Sequence, residues 1–152
     1  MTTPVPPSNL RLLLRERPAD RVEPEHFEVV IEPTPELGDR QVLVRVCWLA
    51  FAPAQRGVLN DVPSYVPPVQ LGEVMRGSGV GQVIATTHPD YAIGDAVMGT
   101  FGWQELALMT PDTQVGGLSD IEHLAPGTDL KMALNVLGST GLTAYFGMVD
   151  IG

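Results

Sequence analysis

The side chains best suited to metal chemistry are few in this sequence. One cysteine, Cys47, and three histidines, His26, His88 and His123, occur in 152 residues. A catalytic zinc takes about three thiolate, imidazole or carboxylate ligands from the protein. The histidines show no ligand spacing and stand in turn-like contexts, so we expect them at the surface. Cys47 lies inside an apolar run, where we expect a small core residue. The sequence therefore offers no cluster of cysteine and histidine of the kind that binds zinc.

A second chemical signal is the glycine-rich stretch GSGVGQ at residues 77–82. Such stretches bind pyrophosphate when they follow a strand and open into a helix, whose N-terminus faces the phosphate. Here the stretch opens into the apolar run GVGQVIAT (79–86), which predicts a strand instead. We interpret these glycines as a bend where two backbones approach closely. We find no cofactor-binding glycine turn after any predicted strand.

Composition limits the class of protein. The net charge is −9, the hydrophobic content 44% and the charged content 18%. An acidic chain lacks the basic field that binding to nucleic acid or to a membrane surface requires. The single cysteine, the absence of a signal-peptide pattern in MTTPVPPSNL and the absence of a long apolar run predict a cytoplasmic protein outside the membrane.

Short apolar runs separated by glycine and proline dominate the first two thirds of the chain. They occupy residues 10–14, 26–32, 41–51, 79–86, 95–101 and 103–109. Many short strands with turn signals between them predict an all-β barrel or sandwich. Residues 52–71 contain four prolines and show no period, which predicts a long ordered loop.

The pattern becomes helical after about residue 120. Residues 127–138 show the first convincing helical period, with Thr128 or Asp129 as the N-cap. Its shared face is formed by Leu130, Ala133, Leu134 and Leu137. Residues 141–151 predict a second helix. These two helices have no strands of their own, so we expect this unit to be too small to fold independently.

The second helix presents an apolar face that must be covered. Leu142, Tyr145, Phe146 and Val149 follow the i, i+3, i+4, i+7 spacing of one face. If the barrel does not cover them, the segment should fray, fold back or pair with a second copy. We expect self-association through this apolar helix.

Three motifs in order carry a family resemblance. They are LGEVMRGSGVGQVIAT (71–86), HPDYAIGDAVMGTFGWQELAL (88–108) and GLTAYFGMVDIG (141–152). With their spacing, they resemble the N-terminal part of the medium-chain dehydrogenase/reductase superfamily. More narrowly, the chain is similar to the NADP-dependent alkenal double-bond reductases, which include prostaglandin, leukotriene and curcumin reductases. The resemblance covers nearly the whole chain.

The resemblance implies a mainly β fold with a division into two units. Residues 1–120 would form a GroES-like, partly open β-barrel on the substrate side. Residues 121–152 would be the linker and first helices of an NADP-binding Rossmann domain, and the chain is expected to stop before that domain's first strand. By itself the chain is then expected to be inactive and to bind no NADP, and the complete protein is expected to be a homodimer.

The resemblance also implies that the zinc of related dehydrogenases is missing. Zinc-dependent members have ligands at three places that, by alignment, hold Ala52, Met75 and Ser139 here. None of these side chains is a usual zinc ligand. The implied reaction is therefore hydride transfer from NADPH to the β-carbon of an α,β-unsaturated ketone or aldehyde. Hydrogen-bond donors would stabilise the enolate oxygen before the α-carbon is protonated.

Some site residues can be carried over from the family. The usual candidate donor is a tyrosine of the cofactor domain, so no catalytic residue is assigned within this chain. The resemblance implies that Thr143 and Ser139 are cofactor-binding residues, with Thr143 close to the nicotinamide. The predicted substrate-pocket residues are Ala54, Arg56, Tyr65, Ser78 and Trp103, with Trp103 equally compatible with a core role.

The pocket departs from the family at two aromatic positions. The commoner loop reads Asp-Pro-Tyr-Met-Arg, and its tyrosine is Ala54 here, while a position that is sometimes tyrosine is Ser78. The predicted pocket is roomier, although Tyr65 could fill part of the space. Two alternatives stay open: activity of the quinone oxidoreductase type, and a GroES-like binding module without enzymatic activity.

Overall fold

The computed structural model describes residues 4–62, 66–112, 114–115, 118–119 and 121–151. The strands are β1 (Ser8–Leu14), β2 (Phe27–Pro33), β3 (Val42–Leu49), β4 (Gly79–Thr86), β5 (Ala96–Gly99), β6 (Leu106–Met109), β7 (Gln114–Val115), β8 (Leu118–Ser119) and β9 (Ile121–His123). Five of them form an antiparallel sheet in the order β6-β3-β4-β5-β9, which is accompanied by two two-stranded sheets, β1-β2 and β7-β8. The mainly β prediction is confirmed, and the curled main sheet agrees with a partly open, GroES-like barrel.

The barrel core forms because β3 is apolar on both faces. Val42, Leu43 and Val44 are consecutive, and all three are fully buried. Since successive side chains of a strand point to opposite faces, they enter two different hydrophobic clusters. β1 joins the barrel through isolated bridges from Arg11 to Gln104 and from Leu13 to Val74.

The glycine-rich stretch is a site of close backbone approach, as predicted. Gly81 lies in β4 opposite Val46 of β3. A Cβ atom on Gly81 would lie 2.3 Å from the carbonyl oxygen of Arg45, which leaves no room for a side chain. Gly79 is similarly close to the carbonyl oxygen of Trp48. These glycines allow β3 and β4 to pair, and the stretch continues into a strand rather than a helix, as predicted.

The expectation of a buried Cys47 is wrong. Cys47 lies within β3 but is exposed. The register of β3 against β4 shifts between Val46 and Trp48, so Cys47 is an extra residue without a partner in the ladder. Such a bulge turns the local side chains and interrupts the in-out alternation on which the core prediction depended.

The expectation that all three histidines are surface residues is wrong for His88. This residue is only 4% exposed. Its Nδ1 accepts from the Asp90 backbone at 3.2 Å, so Nε2 carries the proton and faces an Asp112 oxygen at 3.2 Å. Arg40 contacts both His88 and Asp112. The three loops that carry these residues meet at the end of the barrel where β3 begins and β4 ends.

Helices follow the barrel and also interrupt its long loop. The short helix α1 (Ala54–Gly57) lies in the segment predicted as a loop. Helix α2 (Leu130–Leu134) is N-capped by Asp129, whose side chain accepts from the backbone N–H groups of Lys131 and Met132. The helix ends after Leu134 because Asn135 leaves the helical conformation, with φ −112° and ψ −91°. The prediction of a helix over 127–138 is therefore too long.

The second predicted helix is confirmed and begins two residues earlier. Helix α3 (Ser139–Phe146) continues into a π-helical turn (Gly147–Ile151). Its apolar face is exposed, with Leu142, Tyr145, Phe146 and Val149 between 51% and 60% accessible. No helix in the described part of the chain combines the length and hydropathy needed to cross a membrane.

The main sheet extends slightly beyond residue 120. β9 pairs with β5 through Ile121, Glu122 and His123. Helix α2 then contacts β3, β4 and β5, and its Ala133 is buried. The division of the complete protein into domains stays a prediction.

Candidate functional site

A cleft lies between the strand ends of the barrel and the two C-terminal helices. Its volume is about 640 Å³. One wall comes from the end of β3 and the loop after it, from Ser78 just before β4, from the end of β5, and from Glu122 of β9. The opposite wall comes from α2, the turn after it and the beginning of α3. The sheet topology places these strand ends together because β3 and β5 both run antiparallel to β4.

The barrel wall of the cleft is largely apolar. Leu49, Phe51 and Met98 contribute aliphatic and aromatic surface, and Ala52 contributes a small side chain. Phe51 is 79% exposed although it is a large aromatic residue, so apolar surface is available to a ligand here. This wall can bind a hydrocarbon chain and exclude water.

The helix wall of the cleft carries several polar side chains beside Ala133 and Leu134. Asn135, Ser139 and Thr140 supply amide and hydroxyl groups that can donate and accept hydrogen bonds. They lie together because Asn135 ends α2 and the chain turns at once into α3, where a Cβ on Gly141 would lie 1.9 Å from the Val136 carbonyl oxygen. The cleft therefore combines an apolar side with a side rich in hydrogen-bonding groups.

A lysine and a tryptophan bridge the two walls. The Lys131 Nζ atom lies 4.3 Å from the centroid of the Trp48 ring, which is a favourable cation–π geometry. Trp48 belongs to β3 and Lys131 to α2, so this contact helps to hold α2 against the barrel. Both residues line the cleft, and Lys131 is the single lysine of the sequence.

A smaller side cavity adjoins the cleft. Its volume is about 190 Å³. Ala50, Ala52, Ser78 and Thr100 line both spaces, so the two are neighbours across one layer of small side chains. Beyond this layer, the side cavity is bounded by α1, by Val66 and by Arg76. We call this space the side cavity below.

Three of the predicted site residues border these spaces. Ser139 lines the cleft, Ser78 lines the cleft and the side cavity, and Ala54 lines the side cavity. Ala54 and Ser78 are the positions at which aromatic residues were expected from the family pattern. Their small side chains leave the space of the side cavity open.

Other predicted site residues have contacts outside these spaces. The Arg56 guanidinium donates to the Asn60 side chain at 2.6 Å and to the Asp20 carbonyl at 3.0 Å, which fixes α1 to the loop before β2. Trp103 packs between Phe27 and Phe51, with ring centroids 5.8 Å and 5.2 Å away. The Thr143 hydroxyl donates to the Ser139 carbonyl at 2.7 Å, one helical turn earlier. Tyr65 lies outside the described residues.

The positions that align with zinc ligands have other surroundings here. Met75 is 1% exposed and belongs to a hydrophobic cluster with Leu14, Leu59 and Val69. Ala52 and Ser139 both line the cleft. Within the described ranges, no group of three or more His, Cys, Asp or Glu side chains is arranged to hold a metal ion.

The single thiol does not have the environment of a nucleophile. Cys47 is exposed as a residue, but partial desolvation of its thiol raises the pKa, although nearby Arg45 lowers it in part. A thiol with a raised pKa is less ionised at neutral pH and therefore reacts more slowly. Cys47 also does not appear in the wall of the cleft.

Sequence analysis predicted Ser139 but missed three other residues of the helix wall. Lys131, Asn135 and Thr140 were not predicted as site residues. The signal that could have found Lys131 is its uniqueness in an acidic chain, beside an apolar helix face. Asn135 carried no signal, because its role depends on the helix ending after Leu134.

Comparison with known proteins agrees with this architecture. The family model of the N-terminal domain of oxidoreductases matches residues 11–116. The chain belongs to this family of oxidoreductase N-terminal domains. The resemblance to alkenal double-bond reductases, first indicated by the motifs, is thereby confirmed at the level of the family and its relatives.

Individual relatives narrow the comparison. The chain is 40% identical over 144 residues to the NADPH-dependent curcumin reductase of Escherichia coli, covering 95% of this chain and 40% of the relative. It is 29% identical over 115 residues to the NADP-dependent 2-alkenal reductase of Nicotiana tabacum, covering 75% of this chain and 32% of the relative. The crystal structure of CurA from Vibrio vulnificus in complex with NADPH superposes with a TM-score of 0.79 and 30% identity, covering 93% of this chain and 40% of that chain. The chain thus spans about 40% of the length of the first of these relatives.

Proposed function

We propose that the complete protein reduces the carbon–carbon double bond of α,β-unsaturated ketones and aldehydes with NADPH. This chain would form the substrate side of the active site. The observation that carries the proposal is the cleft of about 640 Å³, with its apolar barrel wall and the polar side chains of its helix wall, in a chain related to NADPH-dependent reductases.

The described residues offer hydrogen-bonding groups for the nicotinamide end of NADPH but no glycine turn for its pyrophosphate. Gly79 and Gly81 pair β4 closely with β3, so the glycine-rich stretch does not open into a helix whose N-terminus could face a phosphate. The polar side chains of Asn135, Ser139 and Thr140 fit the carboxamide of a nicotinamide, which both donates and accepts hydrogen bonds. We therefore assign Ser139, and Thr143 one turn further along α3, to the nicotinamide side. The phosphates would be bound by residues outside this set.

The protein would contribute to the reaction by positioning the alkene next to the nicotinamide and by keeping water away from both. When bound, the reduced nicotinamide supplies a hydride to the β-carbon of the enone. Phe51, Leu49 and Met98 would hold the alkene and exclude water, which raises the effective concentration of the reacting groups. Hydroxyl and amide groups of the cleft would donate hydrogen bonds to the carbonyl oxygen of the enone and stabilise the negative charge that it gains.

The proposed reaction uses no metal ion. The positions aligned with zinc ligands carry a methyl group, a buried thioether and a hydroxyl, and thioethers and hydroxyls bind zinc poorly compared with thiolates and imidazoles. The scarcity of cysteine supports a cytoplasmic location for the enzyme. We further propose that the barrel is the substrate domain, that residues after it begin the NADP-binding domain, and that the complete protein is a homodimer.

The test is a reduction assay with the complete protein. Pent-3-en-2-one and NADPH should give pentan-2-one with consumption of one NADPH for each product molecule. Treatment with a strong chelator should leave the rate unchanged. Reduction of a benzoquinone but of no enone would favour the quinone alternative, and binding of enones without any NADPH oxidation would favour a binding module.

A further inference from the structure

Strand β2 forms an open edge of the small sheet that it shares with β1. The backbone N–H of Thr34 donates to the Pro7 carbonyl at 3.1 Å, and that of Arg15 donates to the His26 carbonyl at 2.9 Å. Both bonds continue the register of the ladder, which has no shift between β1 and β2. Since hydrogen-bonded pairs alternate along an antiparallel ladder, the even-numbered residues of β2 bond to β1. The odd-numbered residues therefore direct their backbone groups away from β1, toward the open side, which we call the β2 edge.

The backbone groups of Val29 and Ile31 have no strand beside them at the β2 edge. Within the described ranges, β2 pairs with β1 alone. The other side of β1 is occupied, because the Leu12 N–H donates to the Trp103 carbonyl at 2.9 Å. Val29 and Ile31 are also exposed, at 60% and 71%. An edge that combines unpaired backbone groups with exposed β-branched side chains is a template for a further strand.

The exposed side chains of the β2 edge belong to one apolar face. Leu10 lies directly opposite Ile31, and Leu12 lies directly opposite Val29, so all four side chains point to the same side of the sheet. A further strand with apolar residues at alternate positions would extend this face and cover Val29 and Ile31. Main-chain hydrogen bonds would supply affinity in such an addition, and the side chains would supply specificity.

The charge around β2 indicates which strand would fit. Residues 22–39 contain six acidic residues and no lysine or arginine. Glu32 pairs with Arg11, whereas no ion pair of the described residues includes Glu28. A second copy paired about Val30 would place its Glu32 opposite Glu28, and any register would bring two acidic segments together. Because like charges directly opposite destabilise a strand pair, the β2 edge favours a basic partner over a second copy.

We propose that the β2 edge binds an extended peptide segment in which β-branched apolar residues alternate with arginine or lysine. The segment adds to the sheet as an antiparallel strand. Its apolar residues lie opposite Val29 and Ile31, and its basic residues lie opposite Glu28 and Glu32. None of the described residues that line the cleft belongs to β2, so this protein-binding surface is separate from the cleft and does not depend on the proposed reduction.

The first experiment uses the complete protein and a synthetic peptide with this pattern. The peptide is Thr-Arg-Val-Thr-Val-Arg-Thr with blocked ends and a fluorescent label, and its binding is followed by fluorescence anisotropy at physiological ionic strength. Its two valines would lie opposite Val29 and Ile31 and donate their N–H groups to the carbonyls of the β2 edge. N-Methylation of both valines should raise the dissociation constant by about tenfold or more, because two hydrogen bonds are lost.

The control peptide is N-methylated at both arginines instead. Their N–H groups would point away from β2, so this peptide should bind within about twofold of the unmethylated one. Equal affinities of the two methylated peptides would show attraction by charge without strand addition and would overturn the proposal. Absence of binding by the unmethylated peptide would overturn it as well.

Sedimentation of the same mixtures tests whether a second copy occupies the β2 edge. The mass of the complete protein should rise only by that of the bound peptide. If the peptide instead splits an assembly into smaller ones, a second copy is the natural occupant and the proposed basic segment is wrong.

A pair of protein variants tests the charge of the β2 edge. Glu28→Gln should raise the dissociation constant of the unmethylated peptide by about threefold or more, because it removes the unpaired carboxylate beside the edge. Glu105→Gln is the matched control, since Glu105 is exposed and its N–H donates to the Leu10 carbonyl on the other side of β1. It should leave the dissociation constant unchanged. Equal effects of the two variants would show that only the net charge of the protein matters, which contradicts recognition at β2.

Discussion

The barrel and the C-terminal helix are similarly apolar but bury their side chains very differently. In the barrel, Val42, Val44, Val97 and Phe101 are at most 1% exposed. In α3 and the turn after it, the large apolar residues are 51% to 86% exposed. The barrel sequence completes its own core, whereas the apolar face of the helix requires a partner surface. We infer that this face marks an interface of the complete protein.

The largest effect should come from deleting a core side chain of the barrel. Phe101→Ala should lower the free energy of unfolding by about 3–5 kcal/mol, because it leaves a cavity in the main cluster. Phe146→Ala on the exposed helix face should change it by less than about 0.5 kcal/mol. Urea unfolding followed by circular dichroism gives both values. Equal effects would mean that α3 is packed as tightly as the barrel.

Two glycine substitutions, one in the barrel and one after α3, test the same difference in packing at the backbone. Gly81→Ala should destabilise the protein by about 1–3 kcal/mol, because its Cβ would meet the Arg45 carbonyl and force β3 away from β4. Gly147→Ala in the helical segment should be neutral or stabilise by up to about 1 kcal/mol, because its backbone is helical and nothing lies within 4 Å of the added Cβ. Thermal unfolding of both variants provides the measurement. A tolerated Gly81→Ala would show that the two strands can separate without loss.

The exposed helix face should cause the 152-residue chain to self-associate. We propose that a second copy covers it, since burying a large apolar side chain stabilises by about 1.5–3 kcal/mol. The double variant Leu142→Gln with Tyr145→Gln should shift the mass in light scattering toward the monomer. Met132→Gln, on exposed α2 surface, is the matched control and should not change it. An identical monomeric mass for all chains at high concentration would refute the self-association.

The smallest effect concerns the charged contacts at the other end of the barrel. The hydrogen bond from Arg40, followed by that from His88, lowers the pKa of Asp112 to about 2. A carboxyl whose pKa is lowered on folding stabilises the protein above its unfolded pKa, and this contribution is lost as the pH falls through the folded value. Wild type should therefore exceed Asp112→Asn in unfolding free energy by a constant amount above about pH 5, and the difference should fall progressively below that pH and be lost only below about pH 2.

The measurement for Asp112 is urea unfolding of the two proteins across this pH range. Arg40→Met provides the control, because it removes the largest cause of the lowered pKa and should shift the loss of stability to higher pH. A difference between wild type and Asp112→Asn that persists undiminished at pH 2 would show that the effect does not come from the ionised carboxylate.

The sequence predicted those features that depend on local pattern. The doubly apolar β3, the glycine bend before β4 and the apolar helix after Gly138 could each be inferred from spacing within one segment. Features that depend on distant residues could not. The buried His88 contacts Arg40 and Asp112 through its Nε2 atom, and these residues lie 48 and 24 positions away in the chain.

The site residues also divide into those that local motifs predict and those whose contacts depend on distant residues. Ser78, Ala54 and Ser139 were predicted because the family motifs carry them, and they border the cleft or the side cavity. Arg56 was predicted as a pocket residue because it occupies the arginine position of the family loop. Its guanidinium instead donates to the Asn60 side chain and to the backbone carbonyls of Pro18 and Asp20. The direction of a long side chain depends on which acceptors surround it, and no motif contains that information.

The most direct test of the proposed reduction is to follow the hydride itself. The complete protein would be given 4-phenylbut-3-en-2-one and NADPH that carries deuterium at the transferred position, and the product would be examined by NMR. We predict one deuterium at the β-carbon of 4-phenylbutan-2-one for each NADPH consumed. Deuterium at the carbonyl carbon of an alcohol product, or NADPH consumption without deuterium in the product, would contradict the proposal.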